Sequence, residues 1–486
     1  MTASLSTQSP ASAEPKGVEV RSIDYIPRAE RHGKAWDLAP VWFAGNANIG
    51  SIALGFVGIG VGANLVWTII AVTAGSAFGT IFSALHSTQG PHLGLPQLIQ
   101  SRPQFGYTGA IIVLLLAMFT YVGFNVFANV LAGQSLQQTA GLNPHIAFVL
   151  VSVVAGMVAF AGYDYIHATF RWITFCFIAV FSVITVVAPF KVGLTNSAFD
   201  LGAFALTPFL IQFGVSAGYQ INWAIYVSDY TRYLPAETDG RRMFWVTYLG
   251  MTLSVIWLSA LGAVLALDSS VTDPVTAVQA MGNSIVSGFG GLAVLVGLVG
   301  LFGSLIMNMY GGSLTLISIA DSLRQTTFSV RVRAVAVATM VIGSAALTYP
   351  AASNFLGNLT TFLQLLLYLF APWTAINLAD YFLVRRGRYS VREIFNRNGI
   401  YGRANAKGLI SYLIAFATEV PFMATTLYTG PLAEKWNGVD ISPFIGLAVA
   451  GSAYLVAYRS FDRRSETTRV KELDAGLDPE VGAPLA

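Results

Sequence analysis

Twelve stretches of this chain are long and apolar enough to cross a lipid bilayer, which decides its solvent before any finer feature is considered. A hydrocarbon core of about 30 Å takes roughly 20 mostly apolar residues per helix. Runs of that kind cover approximately 40–63, 65–87, 109–137, 146–162, 167–190, 203–228, 241–267, 288–320, 334–350, 354–384, 408–430 and 441–459. In hydrocarbon every backbone N–H and C=O must be paired within the protein, so runs of this length imply helices. Charged residues make up 10% of the chain, against roughly 25% in a soluble domain. Too few remain to clothe several soluble globules. The expectation is an all-α polytopic membrane protein with twelve transmembrane helices.

Several function classes fall away on the same reading. The single cysteine, Cys176, excludes a disulfide framework or a multi-cysteine metal site. A net charge of +3 is too balanced for a nucleic-acid binder. No Walker A pattern or H-E-x-x-H pair occurs. The histidines His32, His86, His92, His145 and His167 fall near span ends or in loops and read as interfacial. Nothing asks for a cofactor, a metal or an obligate protein partner beyond the surrounding lipid. Residues 1–39 are polar and lack the apolar core of a signal peptide.

Basic residues set the orientation. If the twelve spans alternate, every Lys and Arg except Lys191 and Lys435 falls on one side, together with both chain ends. By the positive-inside rule that side is cytoplasmic, in a plasma (inner) membrane. The expected organisation is a cytoplasmic N-terminal tail at 1–39, a first set of five helices at 40–190 and a second set at 203–384. A basic cytoplasmic loop at 385–407, peripheral helices at 408–459 and a flexible C-terminal tail at 460–486 complete it.

Two spans have unusual interiors. The first contains Gly45, Asn46, Asn48 and Gly50; the sixth runs Gly214-Val215-Ser216-Ala217-Gly218-Tyr219-Gln220-Ile221-Asn222-Trp223. Each glycine weakens a helix by about 1 kcal/mol relative to alanine, and buried amides need partners. Each interruption opens a set of five helices, and matched interruptions in two halves point to a midplane transport site in an inverted repeat. On span three Tyr121, Asn125 and Asn129 recur every four residues with Phe124 alongside; on span eight Ser304 and Asn308 do the same. The predicted pocket therefore collects Phe124, Asn125, Asn129, Tyr219, Gln220, Trp223 and Asn308, with Gly45, Asn46, Asn48 and Ser304 as the broken-helix and cation region.

The chemistry of that set is neutral. Amides offer mixed donor–acceptor edges of the kind that pair with nucleobases, and a base stacked on an aromatic ring gains about 1–3 kcal/mol. No mid-span Arg or Lys is present to hold a carboxylate or phosphate. A small planar N-heterocycle fits best. A channel would need repeated pore-lining rings, which this asymmetric chain lacks.

Three motifs carry a family resemblance: Gly94-Leu95-Pro96-Gln97 through Ser101-Arg102-Pro103-Gln104-Phe105-Gly106-Tyr107, then Asp229-Tyr230-Thr231-Arg232-Tyr233-Leu234-Pro235, then Asn308-Met309-Tyr310. Over residues 36 to 460 the chain resembles the purine–cytosine permease branch of the nucleobase–cation symporters. The resemblance implies a five-plus-five inverted repeat of the sodium-coupled amino-acid transporter type with two peripheral helices. It also implies import of a nucleobase such as cytosine or a purine by cation symport; allantoin, hydantoin or a thiamine-like compound is the alternative. It makes Phe124 the stacking ring, where relatives often have Trp, and Asn308 the substrate-binding amide. Sodium-coupled relatives carry hydroxyls five and six positions before that Asn, where Gly303 and Phe302 stand here. Proton coupling is therefore favoured over sodium, with Glu419 as a possible carrier. One charge crossing 100 mV supplies about 2.3 kcal/mol, roughly fifty-fold accumulation at 1.36 kcal/mol per decade.

Overall fold

The computed structural model describes residues 24–161, 166–271, 273–323 and 329–475, without side chains for 161 and 166–174. Residues 1–23, which include Lys16 and Arg21, Arg324 and the last eleven residues lie outside that set, as do the side chains of His167 and Arg171. Among the described residues the chain is helical, with one isolated β-bridge between Ala424 and Thr429.

A helix stands at each of the twelve predicted places. The first is split into α1 (Ala39–Asn46) and α2 (Ile49–Gly60). Then come α3 (Leu65–Ser87), α4 (Ile111–Ala140), α5 (Pro144–Ala161) and α6 (Ile166–Val192). The sixth place is also divided, into α7 (Leu206–Ile221) and α8 (Val227–Thr231). There follow α9 (Gly240–Leu265), α10 (Pro274–Ile285), α11 (Phe289–Leu323), α12 (Val330–Ser353) and α13 (Phe355–Leu378). The chain continues with α14 (Ala406–Glu419), α15 (Ser442–Ala457) and α16 (Arg463–Leu473). Among the described residues, seven helical segments are long and apolar enough to cross a membrane, and the bent α1–α2 pair makes an eighth. The protein is therefore a multi-pass membrane protein; the count of twelve crossings belongs to the sequence topology.

Ends follow local chemistry. Asn64 caps α3 by accepting from the Trp67 N–H at 3.1 Å. Gly141 ends α4 in the left-handed region, where a side chain would be strained. Among the described residues, two helices of more than ten residues lie outside the expected spans. Asp273 caps α10, accepting from the N–H groups of Val275 and Thr276, with Pro274 in the first turn. Asp462 caps α16 in the same manner. Residues 463–473 are thus a docked helix rather than part of a flexible tail: Glu466 accepts from Arg385 Nε at 2.7 Å, and Asp474 accepts from Ser390 Oγ at 2.7 Å and Val391 N–H at 2.8 Å.

Lipid offers no hydrophobic drive for helix association, so backbones must approach closely. They do so at α2 and α9: a Cβ on Gly55 would lie 2.0 Å from the Ser259 carbonyl oxygen, and one on Gly262 1.9 Å from that of Ile52. The first span is thereby held on α9, while the sixth packs on α3, where a Cβ on Gly79 would lie 2.4 Å from the Ala217 carbonyl oxygen; both spans face α4 and α11 across a central space.

Candidate functional site

The break in the first span is a single tight turn. Ala47 has φ −79° and ψ 69°, the geometry of an inverse γ-turn, and Asn48 N–H bonds back to Asn46 O at 2.9 Å. Two carbonyls freed by the break find side chains: Asn48 Nδ2 donates to Gly45 O at 3.2 Å and Ser51 Oγ to Asn46 O at 2.6 Å. With the Ser51 hydrogen so committed, the Tyr219 hydroxyl, 3.1 Å away, donates to Ser51 and ties the sixth span to the first. In the sixth span Asn222–Ile225 winds as a 3₁₀ turn and Tyr226, at φ −138° and ψ 3°, leaves the helix before α8 begins. Asn222 donates to the carbonyl of Tyr219 and accepts from the Tyr226 hydroxyl at 2.8 Å.

Between these breaks, α4 and α11 lies a cavity of about 680 Å³. Of the residues predicted for the site, Gly45, Asn48, Phe124, Tyr219, Trp223, Ser304 and Asn308 line it. Phe124 and Tyr219 meet edge to face at 5.8 Å, Trp223 and Tyr226 at 5.0 Å, while Tyr121 stacks on Tyr226 at 6.0 Å. Trp223 lies so close to the first span that a Cβ on Gly45 would sit 2.5 Å from its ring. Asn308 is half-buried and makes no hydrogen bond to the described residues, so its amide is available to a guest. The cavity runs to the end of the bundle that carries the N-terminal segment, where Pro96, Asp229 and Arg232 join its wall.

Four predicted residues stand elsewhere. Asn46 donates to Met251 O and Ser254 Oγ at 3.0 and 3.2 Å, and Gln220 donates to the same Met251 carbonyl at 3.0 Å, so both amides pin the broken spans to α9. Asn129 points away from the cavity and donates to Ser152 Oγ at 2.5 Å, Phe148 O at 3.1 Å and Thr348 Oγ1 at 3.3 Å, joining α4 to α5 and α12. Asn125 is buried, off the cavity lining, and neither of its amide atoms has a partner among the described residues. The cause is helical pitch: residues four apart drift by about 40° around the axis. From Tyr121 the stripe rotates away through Asn125 to Asn129, whereas Phe124, Ala128 and Leu131 stay on the cavity face. Glu419 does not line the cavity either; it ends α14, fully buried against Gly446 of α15, with both oxygens unpartnered among the described residues.

Sequence reasoning missed Asn222, Tyr226 and Met307 on the cavity wall. Asn222 was visible as a second amide, two residues past Gln220 and next to the selected Trp223. It also misplaced His86. That ring is completely buried and stacks on Trp373 at 4.8 Å with planes 1° apart, because the short helix Gln89–Leu93 and the turn at Gly94 fold back beneath it.

A family model described as permease for cytosine/purines, uracil, thiamine, allantoin matches residues 25–446. The chain belongs to that permease family. A putative purine-cytosine permease of Bacillus subtilis, YxlA, is 37% identical over 90% of this chain and 95% of its own length. Purine-cytosine permease fcyB of Emericella nidulans is 25% identical over 90% and 88%. These relatives are transport proteins rather than enzymes. Among solved structures, the nucleobase-cation-symport-1 transporter Mhp1, closed around bromovinylhydantoin, superposes with a TM-score of 0.72 at 19% identity, covering 94% of this chain and 99% of that one. The permease thus has the inverted-repeat fold, its two broken spans at equivalent places in the two halves.

Proposed function

We propose that this permease imports a small planar N-heterocycle, a nucleobase such as cytosine or a purine, by cation-coupled alternating access across the plasma membrane, with both chain ends cytoplasmic. The observation that carries the reading is the cavity between the two broken spans. Phe124, Tyr219 and Trp223 offer ring faces there, while Asn48 and Asn308 offer edges with both donors and acceptors. A buried amide facing an analogue that cannot answer it is costly, which gives such a pocket its selectivity.

The proton is the favoured coupling ion. The eighth span carries Phe302 and Gly303 where sodium-coupled relatives have hydroxyls, and it packs hard on the break: a Cβ on Gly300 would lie 2.7 Å from Ala47 O. Ser304, whose hydroxyl is 3.5 Å from Gly300 O, is the hydroxyl that the eighth span itself brings near that corner. The cavity's size leaves room for a larger ring system, and the solved relative that holds a hydantoin gives allantoin- or hydantoin-like compounds second place. A thermal-shift screen of the purified protein against cytosine, adenine, hypoxanthine, uracil, allantoin and hydantoin, followed by saturable uptake with unlabelled competitors, tests the reading. Stabilisation by none of them would refute it.

A further inference from the structure

Behind the cavity mouth, His86 links three elements that converge there. One ring nitrogen, Nε2, lies 2.8 Å from Thr374 Oγ1 on α13, and the other, Nδ1, lies 3.0 Å from the side-chain amide nitrogen of Gln97. The Gln97 amide oxygen in turn accepts from Ser228 Oγ on α8 at 2.6 Å, and the Gln97 backbone N–H donates to Asp229 at 2.9 Å. Pro96 and Leu98, the neighbours of Gln97, line the cavity, as does Asp229. The imidazole is thus one hydrogen bond away from the loop that forms the mouth and two from the inner piece of the broken sixth span.

We propose that His86 is a proton-binding site whose occupancy sets the geometry of the cavity mouth; this deepens the transport reading and rests on it. In the arrangement present, Gln97 gives an N–H to Nδ1, so the imidazole is neutral, with its own N–H directed at Thr374. An imidazolium carries N–H on both nitrogens and accepts nothing. A proton arriving on Nδ1 therefore forces the Gln97 amide to turn its oxygen to His86 and its N–H to Ser228. The Ser228 hydroxyl then loses its acceptor and is left with the His86 carbonyl, 3.2 Å away. The reversal also withdraws the weaker contact from Gln97 Nε2 to Gln89 Oε1 at 3.4 Å, and Gln89 is itself bonded to Asn377 on α13. One proton thus re-sorts the bonds that join α3, α8, α13 and the mouth loop. The parallel Trp373 ring offers its face to either form of the imidazole; complete burial opposes the charge, so the proton is held by the ring face and the re-sorted bonds together.

The other titratable groups on the surrounding elements are engaged elsewhere or face other surfaces. Asp229 on α8 is the charged group that the network reaches, through the Gln97 backbone. On the tenth span Tyr368 bonds to Asp440, and Asp380 just beyond α13 to Arg385. His92, on the short helix after α3, faces Tyr381 at 3.1 Å. On α9, Arg241 and Arg242 are exposed, and Tyr219 and Tyr226 of the sixth span face the cavity.

The test uses the full chain in proteoliposomes, measuring exchange of labelled for unlabelled base at equal pH on both sides, from about pH 5.5 to 8, the range in which a histidine switch operates. Wild type is expected to change its exchange rate by about fivefold or more across that range. His86→Gln is expected to flatten the profile to within about twofold while keeping base affinity in a thermal-shift titration. A wild-type profile in His86→Gln, or a flat one in the wild type, overturns the proposal. If His86→Gln does not fold, Thr374→Val, which keeps the ring but removes its Nε2 partner, must displace the pH profile; an unmoved profile likewise overturns it. Failure of the wild type to bind or exchange any base would instead sink the transport reading, a result distinct from pH-independent exchange.

Discussion

Asn129 and Asn308 are chemically identical side chains on facing spans, and the structure gives them opposite duties. Asn129 Nδ2 has three acceptors in reach but only two hydrogens, so two good bonds are the fair count, to Ser152 Oγ and Phe148 O. Each is worth about 0.5–1.5 kcal/mol net, with a further penalty because the acceptors left behind are buried. Asn129→Ala should therefore cost about 2–3 kcal/mol of stability, lowering the thermal midpoint of the purified protein, with base affinity within about threefold of wild type. Asn308 makes no hydrogen bond to the described residues and lines the cavity. Its truncation should move stability by no more than about 0.5 kcal/mol. The base edge it serves would lose its partner, at about 1–3 kcal/mol, or tenfold and more in Kd. Thermal denaturation and isothermal titration on the two variants separate these outcomes. A normal midpoint with weakened binding in Asn129→Ala, or unchanged affinity in Asn308→Ala, would show that the cavity has been assigned to the wrong face of these helices.

Gly45→Ala should weaken base binding by about tenfold, because the new methyl, 2.5 Å from Trp223, displaces a cavity ring and overpacking of this kind costs about 1–3 kcal/mol; competition binding checks it. Glu419→Gln should retain full gradient-driven uptake, since Glu419 is absent from the cavity lining; uptake collapsing in a well-folded variant would restore that carboxyl as the coupling group. Asp474→Ala removes the acceptor of the Ser390 hydroxyl and the Val391 N–H, and should open the 385–407 loop to limited proteolysis while uptake by the intact protein persists.

The spans were legible because hydrocarbon imposes both length and apolarity: the predicted 65–87 became Leu65–Ser87. The breaks were legible too, since glycines beside amides are a poor way to continue a helix. What the sequence hid was direction. Asn46 and Gln220 look like binding amides and in fact share one carbonyl on α9, that of Met251, which Asn46 reaches across 205 positions, a contact that no local spacing reveals. The helices α10 and α16 escaped a hydropathy ruler because they are not apolar spans, although Asp273-Pro274 is a cap signal that could have been read. His86 was misread because position along a span says nothing about a loop that folds back beneath it.

The bonds from Arg385 to Glu466 and from Ser390 to Asp474 impose an order on assembly. The loop after the tenth span emerges from the ribosome well before its clamps, with both peripheral helices still to be inserted. It must wait unlatched until α16 is made, so this step of biogenesis comes after all the spans and takes place at the surface and not within the bilayer. A released chain that ended just short of Asp474 would have every span in place and this fastening undone.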